Sequence, residues 1–96
     1  MSLKKIRILP DQYIVREGEV GETAFLVISG ALIAEVSGKK VGKIETGEIF
    51  GELSLILSEN RTASVKAVVP SEVVEIKRKA LEAILLSSNI DLHKII

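Results

Sequence analysis

The sequence predicts a mainly β domain: an eight-stranded antiparallel β jelly-roll barrel, with one short helix set among the strands and helices at the C-terminus. Three observations predict it. Short runs with period-2 alternation recur between Gly, Pro, Ser and Asp turn signals, the pattern of a small all-β sandwich or barrel. All seven glycines fall between residues 18 and 51, so the chain turns repeatedly there, and the last 45 residues carry none. From Arg78 onward Ala, Leu, Glu and Lys dominate and the apolar spacing becomes helical. A chain of 96 residues has room for one core. Residues 1–96 are therefore one domain, with the barrel at about 4–77 and the C-terminal helices at about 78–96.

Taken in order, Lys5–Ile8 alternates and Pro10-Asp11 turns the chain. Gln12–Val15 is a second short strand, closed by the polar stretch Arg16–Glu19. Thr23–Ser29 is a continuous apolar run of the kind buried on both faces. Gly30 breaks it, and Leu32, Ala34 and Val36 then alternate with Ile33, Glu35 and Ser37. Ser37–Lys40 reads as a hairpin turn into Val41–Ile44. Gly51–Leu57 is a short helix with Glu52 in the first turn, where an acid suits the helix dipole. Arg61–Val69 is the clearest strand, with Ala63, Val65, Ala67 and Val69 on one face. Pro70-Ser71 ends it, and Glu72–Lys77 is the last strand. Ala80, Leu81, Ile84 and Leu85 form one stripe of the tail helix. Ser87-Ser88-Asn89 reads as a stop and a new N-cap before a short amphipathic segment, Ile90–Ile96.

Composition excludes several functions. Thirteen Lys+Arg balance thirteen Asp+Glu, leaving no excess charge to track a nucleic acid backbone. Two Phe, one Tyr and no Trp offer little for base stacking on single strands. Apolar runs reach about five residues, against the roughly 20 of a membrane helix. No Cys and a single His, His93, rule out thiol chemistry and a multi-histidine metal site, which also removes the metal-dependent jelly-roll enzymes. The start, MSLKKIRIL, lacks a secretory apolar stretch, so a cytoplasmic location is expected.

One segment exceeds a plain strand-turn-strand reading: residues 47–65, GEIFGELSLILSENRTASV. Gly47 and Gly51 precede a very short helix that begins with Glu52, and Arg61 follows nine residues later. Such an arrangement suits a small anion. A helix entered through glycine exposes the N–H groups of Glu52, Leu53 and Ser54. Arg61 can supply a guanidinium fork for two phosphate oxygens, with small Thr62, Ala63 and Ser64 leaving space beside it. Glu52, an acceptor at neutral pH, suits a ligand hydroxyl.

Phe50-Gly51-Glu52-Leu53 and Arg61-Thr62-Ala63-Ser64-Val65 resemble the phosphate-binding cassette of the cyclic nucleotide-binding domain family. That family includes the catabolite activator protein and the regulatory subunits of cAMP-dependent protein kinase. The similarity extends upstream through Glu17-Gly18-Glu19, Phe25–Gly30 and Gly47-Glu48. It implies a regulatory sensor with no catalytic residue, no metal and no cofactor, whose ligand is cAMP or cGMP. Arg61 would pair with the cyclic phosphate and Glu52 with the ribose 2′-hydroxyl. Gly51 and the amides of Ser54 and Thr62 would complete the cradle, with Ala63 beside them. Leu53, Ala34, Val41 and Gly42 would lie near sugar and base. The output implied is movement of the C-terminal helices, acting on an effector domain or protein. Ile96 is expected near the beginning of the helix that in the family continues to a lid over the base.

Plainer readings stand beside these. Glu52 singly is a first-turn acid facing water, and Arg61 singly a solvated charge at a strand start. The combination and its spacing favour a site. The alternative is a degenerate jelly-roll module that mediates assembly without nucleotide. In the family this segment resembles, a Thr at the place of Thr62 contacts the guanine amino group in some members, while others with the same residue respond to cAMP; with nothing else reading guanine, the lean is to cAMP. Gly18, Gly21, Gly30, Gly38 and Gly42 are read as turns and strand ends, Gly42 also bordering the base. Asn60-Arg61-Thr62 is formally a glycosylation sequon, and with no secretory stretch expected at MSLKKIRIL it is read as a chance match. His93 is read as a surface or packing residue. Ile90, Leu92, Ile95 and Ile96 are hard to bury in one small core, and some of them are expected to form a homodimer contact or to cover for a missing C-terminal part.

Overall fold

A computed structural model describes residues 4–57 and 59–87, the side chains of 53, 55 and 85–87 excepted. Along the chain run β1 (Lys4–Ile8), β2 (Tyr13–Val15), β3 (Thr23–Ser29), β4 (Ala31–Val36), β5 (Lys39–Glu45) and β6 (Ile49–Phe50). They are followed by α1 (Glu52–Leu57), β7 (Ser64–Ala67), β8 (Ser71–Lys77) and α2 (Arg78–Ser87). Two antiparallel sheets result, ordered β1-β8-β3-β6 and β2-β7-β4-β5, the alternation of a jelly roll. The second helical segment expected at 90–96, the stop at 88–89 and His93 lie outside the described residues.

The sheets enclose a core of Ile8, Val15, Phe25, Val27, Leu32, Phe50, Val65, Ala67 and Val73. Phe25 and Phe50 face each other across β3 and β6 with ring centroids 5.1 Å apart. The other face of the first sheet is apolar too. Ala24, Val74 and Ile76 pack there against Ala80 and Leu81 of α2, with Leu26, Ile28, Ile56 and Ile84 around them. Thus β3 is a run without alternation because odd residues enter the barrel and even ones meet the helices.

Three elements differ from expectation. β6 is only two residues long, too short to show a period, and is held by its pairing with Phe25 and Leu26. The strand expected at 61–69 runs from Ser64 to Ala67. Its first three residues leave the ladder because the Gly18 N–H donates to the Arg61 carbonyl at 2.8 Å and the Arg61 N–H to the Glu19 carbonyl at 2.7 Å. Its last two, Val68 and Val69, are exposed in the turn to β8. The hairpin between β4 and β5 turns on Ser37 and Gly38 alone, both with positive φ (53° and 78°). That is the two-residue geometry matching strand twist.

Candidate ligand site

The site is assembled where β6 ends. The Gly47 N–H donates to the Val27 carbonyl and the Val27 N–H to the Glu48 carbonyl, which returns the chain to β3 before Ile49 and Phe50 pair with it. Gly51 then turns the chain into α1 at φ +81°, a region costly for other residues. A Cβ there would stand 2.6 Å from Arg61 Nη1 and 3.3 Å from the Thr23 carbonyl oxygen. Gly21 approaches from the other side. Its added Cβ would lie 2.4 Å from Ser54 Cβ and 3.1 Å from Arg61 Cζ. Gly21 is therefore no simple turn residue: α1 and Arg61 occupy the space a side chain would take.

Arg61 lies between these two bare backbones, only 7% exposed. Nη1 donates to the Gly51 carbonyl at 3.0 Å and Nη2 to the Thr23 carbonyl at 2.8 Å. Its Cζ is 5.8 Å from the Phe25 ring centroid. Burial pushes the guanidinium pKa down, and the nearby charge of Glu19 opposes this. A guanidinium carries five N–H donors, of which these carbonyls engage two, and it keeps its charge even when desolvated.

Beside it is a cavity of about 190 Å³. Val15, Ala34, Ile44, Ile49, Phe50 and Val65 form its apolar lining; Gly51, Glu52, Ser54, Arg61, Thr62 and Ala63 form the rest. Burial pushes the Glu52 carboxyl above the usual carboxylate range, while a hydrogen bond from its own backbone N–H holds it back. Ser54 is buried and its hydroxyl donates to the Asn60 carbonyl at 3.4 Å. The wall thus combines one cation, one acid and small residues at an apolar floor.

Seven of the residues singled out from sequence meet here: Ala34, Gly51, Glu52, Ser54, Arg61, Thr62 and Ala63. Leu53 is the second residue of α1, and its side chain lies outside the described residues. Val41 and Gly42 are not part of the described wall. The β4–β5 register shifts between Ala34, opposite Gly42, and Glu35, opposite Lys40. Val41 is the extra residue of that bulge and is 62% exposed. Gly42 pairs with Ala34, and a Cβ added to it would meet no atom within 4 Å. Sequence reasoning did not single out Val15, Ile44 and Ile49 as wall residues; strand pairing brings Val15 beside Ala34 through Val65, and Ile44 opposite Leu32. The Thr23 carbonyl carries no signal in a sequence.

Among the described residues no group of three or more His, Asp or Glu is gathered to hold a metal ion, and no helix is long and apolar enough to cross a membrane.

The chain is thus a jelly roll around a small cavity with a buried guanidinium in its wall. The chain belongs to the cyclic nucleotide-binding domain family, whose model matches residues 5–88. It is 37% identical over 76 residues to a cGMP-dependent protein kinase of Eimeria tenella, covering 79% of this chain and 8% of that one. Cyclic-AMP-bound PfPKA-R superposes with a TM-score of 0.82 at 34% identity, covering 86% of this chain and 29% of that chain. The regulatory subunit of a cAMP-independent protein kinase A from Trypanosoma brucei superposes with a TM-score of 0.78 at 25% identity, covering 86% and 32%. The domain thus corresponds to under a tenth of the Eimeria kinase and about a third of either structural neighbour. It is a regulatory type of domain, found in relatives that are kinases and channels.

Proposed function

We propose that this domain is a cytoplasmic, non-catalytic sensor that binds a cyclic purine nucleotide in the cavity beside Arg61, cAMP ahead of cGMP. One observation carries the reading. Arg61 is buried at the cavity wall, held by the Gly51 and Thr23 carbonyls, with N–H donors left for an anion. Glu52 would accept from the ribose hydroxyl, and Gly51, Ser54, Thr62 and Ala63 would surround the phosphate. Leu53 and Ala34 would approach the sugar and base, with Val41 and Gly42 at the outer edge. The neighbour PfPKA-R is cAMP-bound and the Eimeria relative is cGMP-dependent, so both nucleotides belong in the test.

The output we propose is movement of α2 and the segment after it. Arg61 grips the carbonyl of Thr23, and the next residue, Ala24, packs on Ala80 and Leu81 of α2. A phosphate that reorients the guanidinium would act on the start of β3 and so on the surface that seats α2. An effector domain or protein would read that motion.

Titration calorimetry with cAMP and with cGMP is the test, and no heat from either would overturn the reading. Arg61→Ala should weaken binding by about 2–5 kcal/mol, the scale for truncating one partner of a desolvated charge pair. Arg61→Lys should also lose heavily, because an ammonium does not reproduce the fork. A second reading is an assembly module without nucleotide; one similar structure is the regulatory subunit of a protein kinase A described as cAMP-independent, so cAMP response does not follow from the fold alone. Light scattering separates them: an oligomer indifferent to either nucleotide supports the second.

A further inference from the structure

Glu17 lies in the loop between β2 and β3, outside the cavity wall, and bonds to two segments distant in sequence. Its backbone N–H donates to Ser64 Oγ at 2.8 Å. Its carboxylate Oε1 accepts the Ser37 N–H at 2.9 Å. Ser64 opens β7, immediately after the loop that carries Arg61, Thr62 and Ala63. Ser37 is the first turn residue of the β4–β5 hairpin, whose arms carry Ala34 and Ile44 of the cavity wall.

These contacts fall where the sheet ladder runs out. β4 pairs with β7 from Leu32 opposite Ala67 to Glu35 opposite Ser64, and no further. Beyond Glu35 the hairpin tip overhangs, and before Ser64 the Arg61 loop leaves the ladder. Glu17 spans that gap, tying the tip to the root of the loop. Its neighbours reinforce the loop side, since Gly18 donates to the Arg61 carbonyl and Glu19 accepts the Arg61 N–H. The tip needs support, because Ser37 is a non-glycine residue at φ 53°.

We infer that Glu17 is a positioning residue for ligand binding, setting the Arg61 loop against the β4–β5 hairpin across the end of the β4–β7 ladder. This rests on the reading of the cavity as a cyclic nucleotide site. The residue acts without touching the ligand.

The test uses the full chain with Glu17→Ala and Glu17→Gln. Affinity for cAMP and cGMP is measured by calorimetry, and amide hydrogen exchange is followed without nucleotide. Glu17→Ala should weaken binding about three- to tenfold, the scale of one hydrogen bond. Glu17→Gln keeps an oxygen for the Ser37 N–H and should stay within about twofold of the wild type. Exchange should accelerate at Ser37 in the alanine variant only, because the bond from the Glu17 backbone N–H to Ser64 is kept in both variants. A merely structural role would change melting temperature and exchange throughout, leaving affinity well below the melting point unaltered. If the wild type binds the nucleotides, equal affinity for Glu17→Ala, or equal losses for both variants, overturns the inference. If the wild type binds neither, the cavity reading fails and exchange decides separately: an unchanged rate at Ser37 in Glu17→Ala overturns the clamp.

Discussion

Gly21→Ala should damage the domain although its added methyl group is small and its backbone imposes no left-handed strain. The added Cβ would sit 2.4 Å from Ser54 Cβ, where apolar carbons ordinarily rest at about 3.5–4.0 Å. Ser54 Cβ is fixed to the backbone of α1, so relief requires the helix or the Gly21 segment to move by about 1 Å or more. Arg61 Cζ and Nε, each 3.1 Å from that Cβ, must also yield by some tenths of an ångström. Overpacking of this kind costs about 1–3 kcal/mol. In a domain of this size each kcal/mol lowers the melting temperature by about 4–8 °C, so the expected drop is roughly 4–24 °C. Circular dichroism melts at fixed concentration measure it, and calorimetry should show weaker nucleotide binding, since α1 and Arg61 are displaced together. Ser54→Gly supplies the decisive control. Alone it should cost about 1–2 kcal/mol, from glycine replacing serine in a helix and from the lost hydroxyl bond to the Asn60 carbonyl. Combined with Gly21→Ala it should recover part of the loss, as a coupling of about 0.5–3 kcal/mol. Additivity within about 0.5 kcal/mol, or a Gly21→Ala melting temperature equal to the wild type, would refute the steric reasoning.

Glu52→Gln should stabilise the ligand-free domain and weaken the ligand-bound one. The Glu52 carboxyl is raised by burial, so its contribution is present below the unfolded pKa and lost as pH rises through the folded value. A neutral amide removes that loss at pH 7 and gives no advantage once Glu52 itself is protonated. Melts at pH 7 and in acid check this, and a variant no more stable than wild type at pH 7 would count against it; calorimetry should show weaker nucleotide binding from the lost charged acceptor. Tyr13→Phe addresses the outer face, where the Tyr13 hydroxyl donates to Glu35 Oε1 at 2.6 Å and Lys66 Nζ stands 3.5 Å from Oε2. The Tyr13 hydroxyl first, and Lys66 with it, hold the Glu35 carboxyl below its ordinary value. That stability is present above the unfolded pKa and lost as pH falls through the folded one. The melting-temperature gap between wild type and Tyr13→Phe should therefore shrink on acidification from pH 7; a gap independent of pH would contradict this.

Much of the fold was legible because burial writes a period into sequence. The uninterrupted Thr23–Ser29 run reports a strand covered on both faces, by the barrel core and by α2. Ala80, Leu81 and Ile84 report the helix face that covers it. What escaped was fixed by partners elsewhere in the chain. Ile49–Phe50 is a strand only because Phe25 and Leu26 pair with it, and two residues have no period. Arg61–Ala63 continue the alternation of β7, yet the carbonyl and amide of Arg61 are bonded to the Gly18–Glu19 loop. Alternation describes which way side chains point and cannot register such competition for the backbone.

The same limit divides the site. Glu52 and Arg61 were legible as a pair because acid, arginine and small residues lie within one short stretch, where spacing carries chemical meaning. Of the surfaces that hold Arg61 only Gly51 lies in that stretch; the others are a glycine 40 positions upstream and a carbonyl belonging to Thr23. Neither presents functional chemistry of its own in the sequence. Gly21 acquires its meaning from Ser54 and Arg61, and Glu17 from Ser37 and Ser64. A residue that contributes by leaving space, or by bonding two segments that each belong elsewhere, resembles any other turn residue until the partners are in view. The Glu17–Glu19 loop illustrates the consequence: its three residues are solvent-exposed, but together they bond to Arg61, Ser64 and Ser37. Exposure alone would assign the loop to the surface; its bonds place it in the support of the guanidinium.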